Sequence, residues 1–300
     1  MTPLLGAYQN GNYAVSIYSD GTKIKESPSS TFIAAFPESI DVKITNYCPS
    51  KCAYCHEDSS PTGEHGDILN AKFLDTLPPY IEAAIGGGDP LSHPDLIPFL
   101  HKLKSLKIIP NITVNSNHFT QPKYQTLIQD LISNQLIYGL GISAETYSDE
   151  LLEEIKKYPN AVLHCIAGLV PVSTLSQFKH QNLKILFLGY KQLRRGAALY
   201  AKHQAEINKN KISLMRYLPI LIQEKWFQVI SFDNLALSQL HIQKLLTEES
   251  WNNMYQGEDG SHSMYIDLVT SSFAVSSNST TRYPLQDNIQ AMFQNILKEK

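Results

Sequence analysis

No stretch of the 300 residues approaches the ~20 uninterrupted apolar positions of a membrane-spanning helix, so no span is expected. The N-terminus, MTPLLGAYQNGNYAV, has no basic region followed by an apolar run, and no signal peptide is expected. Charge is sparse and nearly balanced, with 18% charged residues and a net charge of −3. That removes any global drive toward nucleic acid or an anionic membrane, and no nucleic-acid-binding motif is seen. Internal repeats are missing, which excludes a solenoid. Cysteine is scarce: four residues do not make a disulfide scaffold, and the expected setting is a reducing cytoplasm with free thiolates. The 43% of hydrophobic residues is ordinary for a globular chain, enough for one large core or two small domains.

Against that scarcity, three of the four cysteines fall within NYCPSKCAYCHED, as Cys48, Cys52 and Cys55. At i, i+4 and i+7 they lie on one side of a tight loop, where three sulfurs converge on one centre. Soft thiolate selects zinc or an iron–sulfur cluster. A disulfide would use two and strand the third. Zinc needs a fourth ligand, which His56 could supply as a Cys3His site. A four-iron cluster held by three cysteines instead leaves one iron open to a small molecule.

The rest of the chain alternates short apolar runs with helical stripes. IDVKIT (40–45), EAAIGGG, PNITVN (110–115), IYGLGIS (137–143), AVLHCIAG (161–168), KILFLGY (184–190) and FQVISF (227–232) read as strands. Leu96, Phe99, Leu100, Leu103 and Leu106 form one helical stripe; Tyr124, Leu127, Ile128, Leu131 and Ile132 form another. Ser148 is the expected N-cap of DELLEEIKKY. Strands alternating with helices predict an α/β fold with a parallel sheet, whose ligands sit at the C-terminal ends of the strands. The cysteines, GGGDP, Asn115 with Ser116, and Ser143 with Glu145 all fall there. Residues 7–27 read as a hairpin, 263–269 and 272–277 as a second, and 285–299 as a closing helix.

In this context the chain resembles the radical S-adenosylmethionine superfamily, on two motifs in the right order. The first is C-x-x-x-C-x-φ-C with aromatic Tyr54 before the last cysteine. The second is a Gly-Gly-Glu-Pro-like turn, here Gly87, Gly88, Asp89 and Pro90, with Asp in place of the usual Glu. The resemblance covers residues 38–232 well. It implies a partial (β/α)6 TIM-like barrel, with an N-terminal β-hairpin and a small C-terminal α+β extension. The expected organisation is 1–37 extension, 38–247 barrel and 248–300 hairpin–helix extension. The tail resembles a SPASM or twitch region without cysteines, serines standing in AVSSNSTTRYPLQDNI.

The resemblance implies a [4Fe-4S] cluster on Cys48, Cys52 and Cys55, with S-adenosylmethionine on its open iron. One electron from an external flavodoxin- or ferredoxin-like donor would cleave the cofactor to a 5′-deoxyadenosyl radical, which abstracts hydrogen from a substrate. The tail tilts the substrate toward a peptide; a nucleotide, a small metabolite or a non-enzymatic zinc module are the alternatives. By position, Tyr54 is expected near adenine, Gly87 and Gly88 against the methionine amino group, and Asp89 as an acceptor from it. Asn115, Ser143 and Glu145 are expected at ribose or methionine, and Ile166 and Gly168 beside adenine. Lys191, Arg194 and Arg195 either pair with an anionic group of cofactor or substrate or form a solvated loop. Cys165 either points into the barrel as a hydrogen-atom donor or is buried structurally. His56, His65 and His93 are expected around the site rather than as ligands.

Overall fold

The computed structural model describes residues 2–29 and 31–298. The first strands, β1 (Leu4–Asn10), β2 (Tyr13–Tyr18) and β3 (Lys23–Glu26), form a separate antiparallel sheet in which β3 joins the expected hairpin. Then follow β4 (Ser39–Thr45), β5 (Glu82–Gly87), β6 (Ile109–Asn115), β7 (Gly139–Ser143), β8 (Ala161–Ile166), β9 (Lys184–Leu188) and β10 (Val229–Phe232). Each pairs in parallel with the next. This is the partial TIM-like barrel.

The crossovers carry α1 (Leu96–Ser105), α2 (Ser116–Phe119), α3 (Pro122–Ser133), α4 (Asp149–Ile155), α5 (Val172–Leu175) and α6 (Arg194–Gln223), the last kinked at His203. Ser148 caps α4 as its sequence suggests, its Oγ accepting from Leu151 N at 3.1 Å. After β10 come α7 (Asn234–Gln239), α8 (Glu248–Met254), β11 (Ser263–Asp267), β12 (Ser272–Ala274), β13 (Tyr283–Pro284) and α9 (Ile289–Leu297). Glu299, the last position of the expected closing helix, lies outside the described residues. No helix among the described residues is long and apolar enough to cross a membrane.

Successive strand residues face opposite sides of a sheet, and the two sides differ in chemistry. Ile40, Val42 and Ile44, Ala83 and Ile85, Ile112 and Val114, Leu163 and Cys165, and Ile185 and Phe187 are buried in the core under the helices. The intervening Asp41 and Lys43, Ala84 and Gly86, Thr113, Gly141, His164, and Lys184 and Leu186 line cavities inside the barrel. Gly141 makes room there, because a Cβ on it would stand 2.3 Å from the His164 ring.

β11 pairs in parallel with β4, bringing Tyr265 beside Asp41 and Asp267 beside Lys43. The segment after β10 thus extends the barrel sheet. The three-stranded sheet is tied to it by charge: Lys23 Nζ lies 2.6 Å from Glu82, and Lys25 Nζ lies 2.8 Å from buried Glu38.

Candidate active site

The segment from Asn46 to Gly66 leaves β4 and returns alongside itself. Asn46 N donates to Glu64 O, Cys48 N to Ser60 O at 2.9 Å, and Gly66 N back to Ile44 O. Lys51 takes a left-handed φ of 48° between the first two cysteines, and Cys55 N donates to Cys52 O at 3.2 Å. All three cysteines are therefore carried by one short reversed segment. Each is free and partly exposed.

The sequence-predicted neighbours converge on this segment. Asn115 Nδ2 stands 3.8 Å from Cys52 Sγ, and its Oδ1 caps α2 by accepting from Asn117 N. The Tyr54 hydroxyl bonds with both Cys52 and Glu145, and burial, then those neighbours, push its pKa up. Burial also raises the Cys52 thiol, with Glu145, Cys48 and Cys55 adding to the rise and Tyr54 opposing it. Ser143 ends β7 in register with Asn115.

The glycine turn packs directly on the cysteine segment. Gly88 N donates to Thr45 O and Asp89 N to Tyr47 O, both at 2.7 Å. Gly87 has φ 112°, and a Cβ on Gly88 would lie 2.1 Å from Tyr47 O. Only residues without Cβ allow that approach. Gly88→Ala is therefore expected to cost about 3 kcal/mol through forced displacement of backbone. Gly86→Ala, with nothing within 4 Å of its Cβ position, should stay within about 0.5 kcal/mol of wild type. Urea unfolding of the pair checks this; equal stabilities would contradict the packing described.

Asp89 is tied into the fold through one carboxylate oxygen. Its carboxylate is buried, and Oδ2 accepts from Ser92 Oγ and from Tyr124 OH at 3.1 Å. Cys165 is not brought to the site. It is 1% exposed in the helix-facing core, its Sγ 3.9 Å from Ala144 O, and burial pushes the thiol up to about 12. Ile166 shares the inward alternation of His164, while Gly168 packs against Ile207 of α6.

The basic residues after β9 clasp the cysteine segment. Arg195 donates from Nε to Cys52 O at 3.1 Å and from its other nitrogens to Asp58 and Ser59 O; Arg194 donates to Glu57 O at 2.7 Å. Lys191 Nζ lies 3.2 Å from His56 Nε2 and donates to Ser277 Oγ at 2.8 Å. His56 also faces Glu57, so its ring is engaged away from the thiols. Among the described residues, no three His, Cys, Asp or Glu side chains are arranged to hold a single metal ion. His65 bonds Thr45 and His93 bonds Gly66 O, both beside the site.

Two cavities, of 170 and 340 Å³, share Ala84 and Thr113 and continue from the rim into the barrel. The upper touches His56, Glu57 and Gly87; the lower reaches Ser19 and Gly21 of the three-stranded sheet. Asp41 and His164 line them, and sequence reasoning missed both. Burial lifts the Asp41 carboxyl to about 6 and lowers His164 to about 4. The detectable signal was strand alternation, which puts His164 and Cys165 on opposite faces; the fold turns His164 inside. A larger cavity of 720 Å³, lined by Trp226, Phe227, Leu245 and Met254, holds none of the motif residues.

Residues 42–167 match the family model of the Radical SAM superfamily. No curated protein matches the chain. Among solved structures, Streptococcus suis SuiB bound to S-adenosylmethionine is 14% identical with a TM-score of 0.56, covering 84% of this chain and 64% of that one. The same protein bound to precursor peptide SuiA gives 14% and 0.55, covering 89% and 65%. SuiB alone gives 15% and 0.52, covering 81% and 61%. At this identity the likeness is one of fold, and the chain spans less than two thirds of each neighbour's length.

Proposed function

We propose, from the match of residues 42–167 to the Radical SAM superfamily model, that the chain is a radical S-adenosylmethionine enzyme, with a [4Fe-4S] cluster on Cys48, Cys52 and Cys55. The observation that carries this reading is three free thiols gathered beside a glycine turn at the C-terminal ends of parallel strands. When bound and reduced by an external flavodoxin- or ferredoxin-like donor, the cluster with S-adenosylmethionine supplies a 5′-deoxyadenosyl radical for hydrogen abstraction.

The chain's own residues then have separable tasks. Arg194 and Arg195 hold the cysteine segment from outside by its carbonyls. The Gly87–Gly88 backbone, which packs on the cysteine segment because it has no Cβ, faces the methionine end of the cofactor. Asn115, Ser143 and Glu145, on neighbouring strand ends, offer an amide, a hydroxyl and a carboxylate to its polar groups. Tyr54 presents its ring to adenine. The barrel interior, bordered below by the three-stranded sheet, receives the substrate.

A peptide substrate is favoured, since one neighbour of this fold was solved with a precursor peptide. The division into 1–37, 38–247 and 248–300 and the cysteine-free SPASM-like character of the tail belong to the same reading, as does a cytoplasmic setting.

The test is anaerobic reconstitution with iron and sulfide, reduction, addition of S-adenosylmethionine and detection of 5′-deoxyadenosine by mass spectrometry. The expected result is a four-iron cluster and product. Stoichiometric zinc with no iron uptake would overturn the reading in favour of a metal-binding module.

A further inference from the structure

The carboxylate of the GGGDP turn is not directed at open space. Asp89 is 2% exposed and its Oδ2 accepts from Ser92 and Tyr124, with His118 Nδ1 3.5 Å away. His118 is buried on α2, stacked on Tyr124 at 5.1 Å between ring centroids with a 19° interplanar angle. Its other nitrogen, Nε2, stands 2.9 Å from Ser50 Oγ. Ser50 lies between Cys48 and Cys52. The side chains thus run from the glycine turn to the middle of the cysteine segment, joined by hydrogen bonds except between Asp89 and His118 Nδ1, which approach to 3.5 Å without one.

Chemistry gives this line a direction. Burial pushes the Asp89 carboxyl up, but the nearby His118 ring and the hydrogen bonds from Ser92 and Tyr124 outweigh it and hold the carboxyl below its ordinary value. An imidazole facing an ionised carboxylate keeps its proton on the near nitrogen. With the proton on Nδ1, which faces Asp89 at 3.5 Å without a hydrogen bond to it, Nε2 is left to accept the Ser50 hydroxyl hydrogen. The backbone of the same residue repeats the tie, Asp89 N donating to Tyr47 O at 2.7 Å. Two independent tethers from one residue hold the two sides of the first cysteine.

We propose that Asp89 is a positioning residue, which sets the cysteine segment through His118 and Ser50 instead of accepting a hydrogen bond from the bound cofactor. The shorter aspartate suits this task because its oxygens stay within reach of Ser92, Tyr124 and His118. This inference rests on reading the segment as the cluster site. It also makes a claim about the metal-free protein, where the same tethers order the thiols.

The experiment uses Asp89→Asn, His118→Phe, which keeps a ring against Tyr124, Ser50→Ala, and the double variant Ser50→Ala/Asp89→Asn. Two probes are read on the full chain. The first is iodoacetamide alkylation of each cysteine in metal-free protein, followed by peptide mass spectrometry. The second is iron loss to a chelator and S-adenosylmethionine affinity in reconstituted protein. Each single variant is expected to speed Cys48 and Cys52 alkylation and iron loss about tenfold, as loss of a partner behind a metal ligand typically does. Buried Cys165 should remain unmodified, reporting an intact fold, and the double variant should be no worse than either single, since all act along one line. Affinity for S-adenosylmethionine on loaded protein should be unchanged. Lost cofactor affinity in Asp89→Asn, with Ser50→Ala behaving as wild type, would overturn the proposal. So would additive effects in the double variant. Should wild type assemble no cluster, the functional reading fails, while the alkylation rates still decide the positioning role.

Discussion

Cys48→Ala, Cys52→Ala and Cys55→Ala are each expected to melt near the wild-type temperature and yet to form no 5′-deoxyadenosine. The two halves of this expectation have different causes. None of the three side chains belongs to the hydrophobic core, and none is in a disulfide. Substitutions at such partly exposed positions usually change stability by about 0.5 kcal/mol or less. Under the proposed function, iron retention should depend on all three thiolates, because a three-cysteine cluster would already leave one iron without a protein ligand. Cys165→Ala should do the reverse. Its buried sulfur packs among helix-facing apolar residues, so its loss should cost about 1–2 kcal/mol and leave product formation intact. Iron analysis, thermal melts and product detection on the four variants check the contrast. Product loss in Cys165→Ala with a normal cluster would return this residue to the reaction and contradict its outward placement.

The second large effect is expected at the base of the barrel. Glu38 is 3% exposed in its side chain, with Lys25 Nζ at 2.8 Å, Lys23 Nζ at 3.7 Å and the Tyr13 hydroxyl donating at 2.6 Å. Glu38→Gln removes the charge that both lysines face in a poorly solvated place, which should destabilise the fold by about 3 kcal/mol at neutral pH. The acid limb carries the signature. Burial would raise the Glu38 carboxyl, but the charges of Lys23 and Lys25 and the hydrogen bonds from Lys25 and Tyr13 bring it below its ordinary value. A group depressed in the folded state contributes stability above its unfolded pKa, near 4.3 for Glu, and loses it as pH falls through the folded value. The wild-type advantage should therefore be full at pH 7 and close steadily below about pH 4. Urea titrations across that range test it. A gap independent of pH would assign the effect to packing rather than charge.

Much of this site was legible before folding because it is local. Cysteine spacing, the aromatic at Tyr54 and the Gly87–Gly88–Asp89–Pro90 turn are short-range patterns, and strand ends follow from where apolar runs stop. Period-two alternation in AVLHCI separates His164 from Cys165, but alternation alone does not say which face turns inward. A barrel with a polar interior and an apolar outer face reverses the usual assumption that the more hydrophobic side points to the centre. Arg194 and Arg195 read as a loop free to meet an anion. In the fold they are used on carbonyls more than 130 positions earlier in the chain.

The amino-acid sequence by itself determined the clustering of the three thiols and the order of strands along the chain, since both depend on residues within one turn or one strand of each other. Tertiary structure decided which side chains those elements turn toward each other. The Ser50–His118 contact spans 68 positions and the Arg195 clasp 143. β11 reaches β4 from the far end of the chain and brings Asp267 to Lys43 at 3.2 Å. Such pairings are selected by burial and charge summed over the whole core, and no spacing in the chain encodes them. For Asp89 that distinction is sharpest: its position in the motif is local, but the partners that occupy its carboxylate are supplied by α2 and α3.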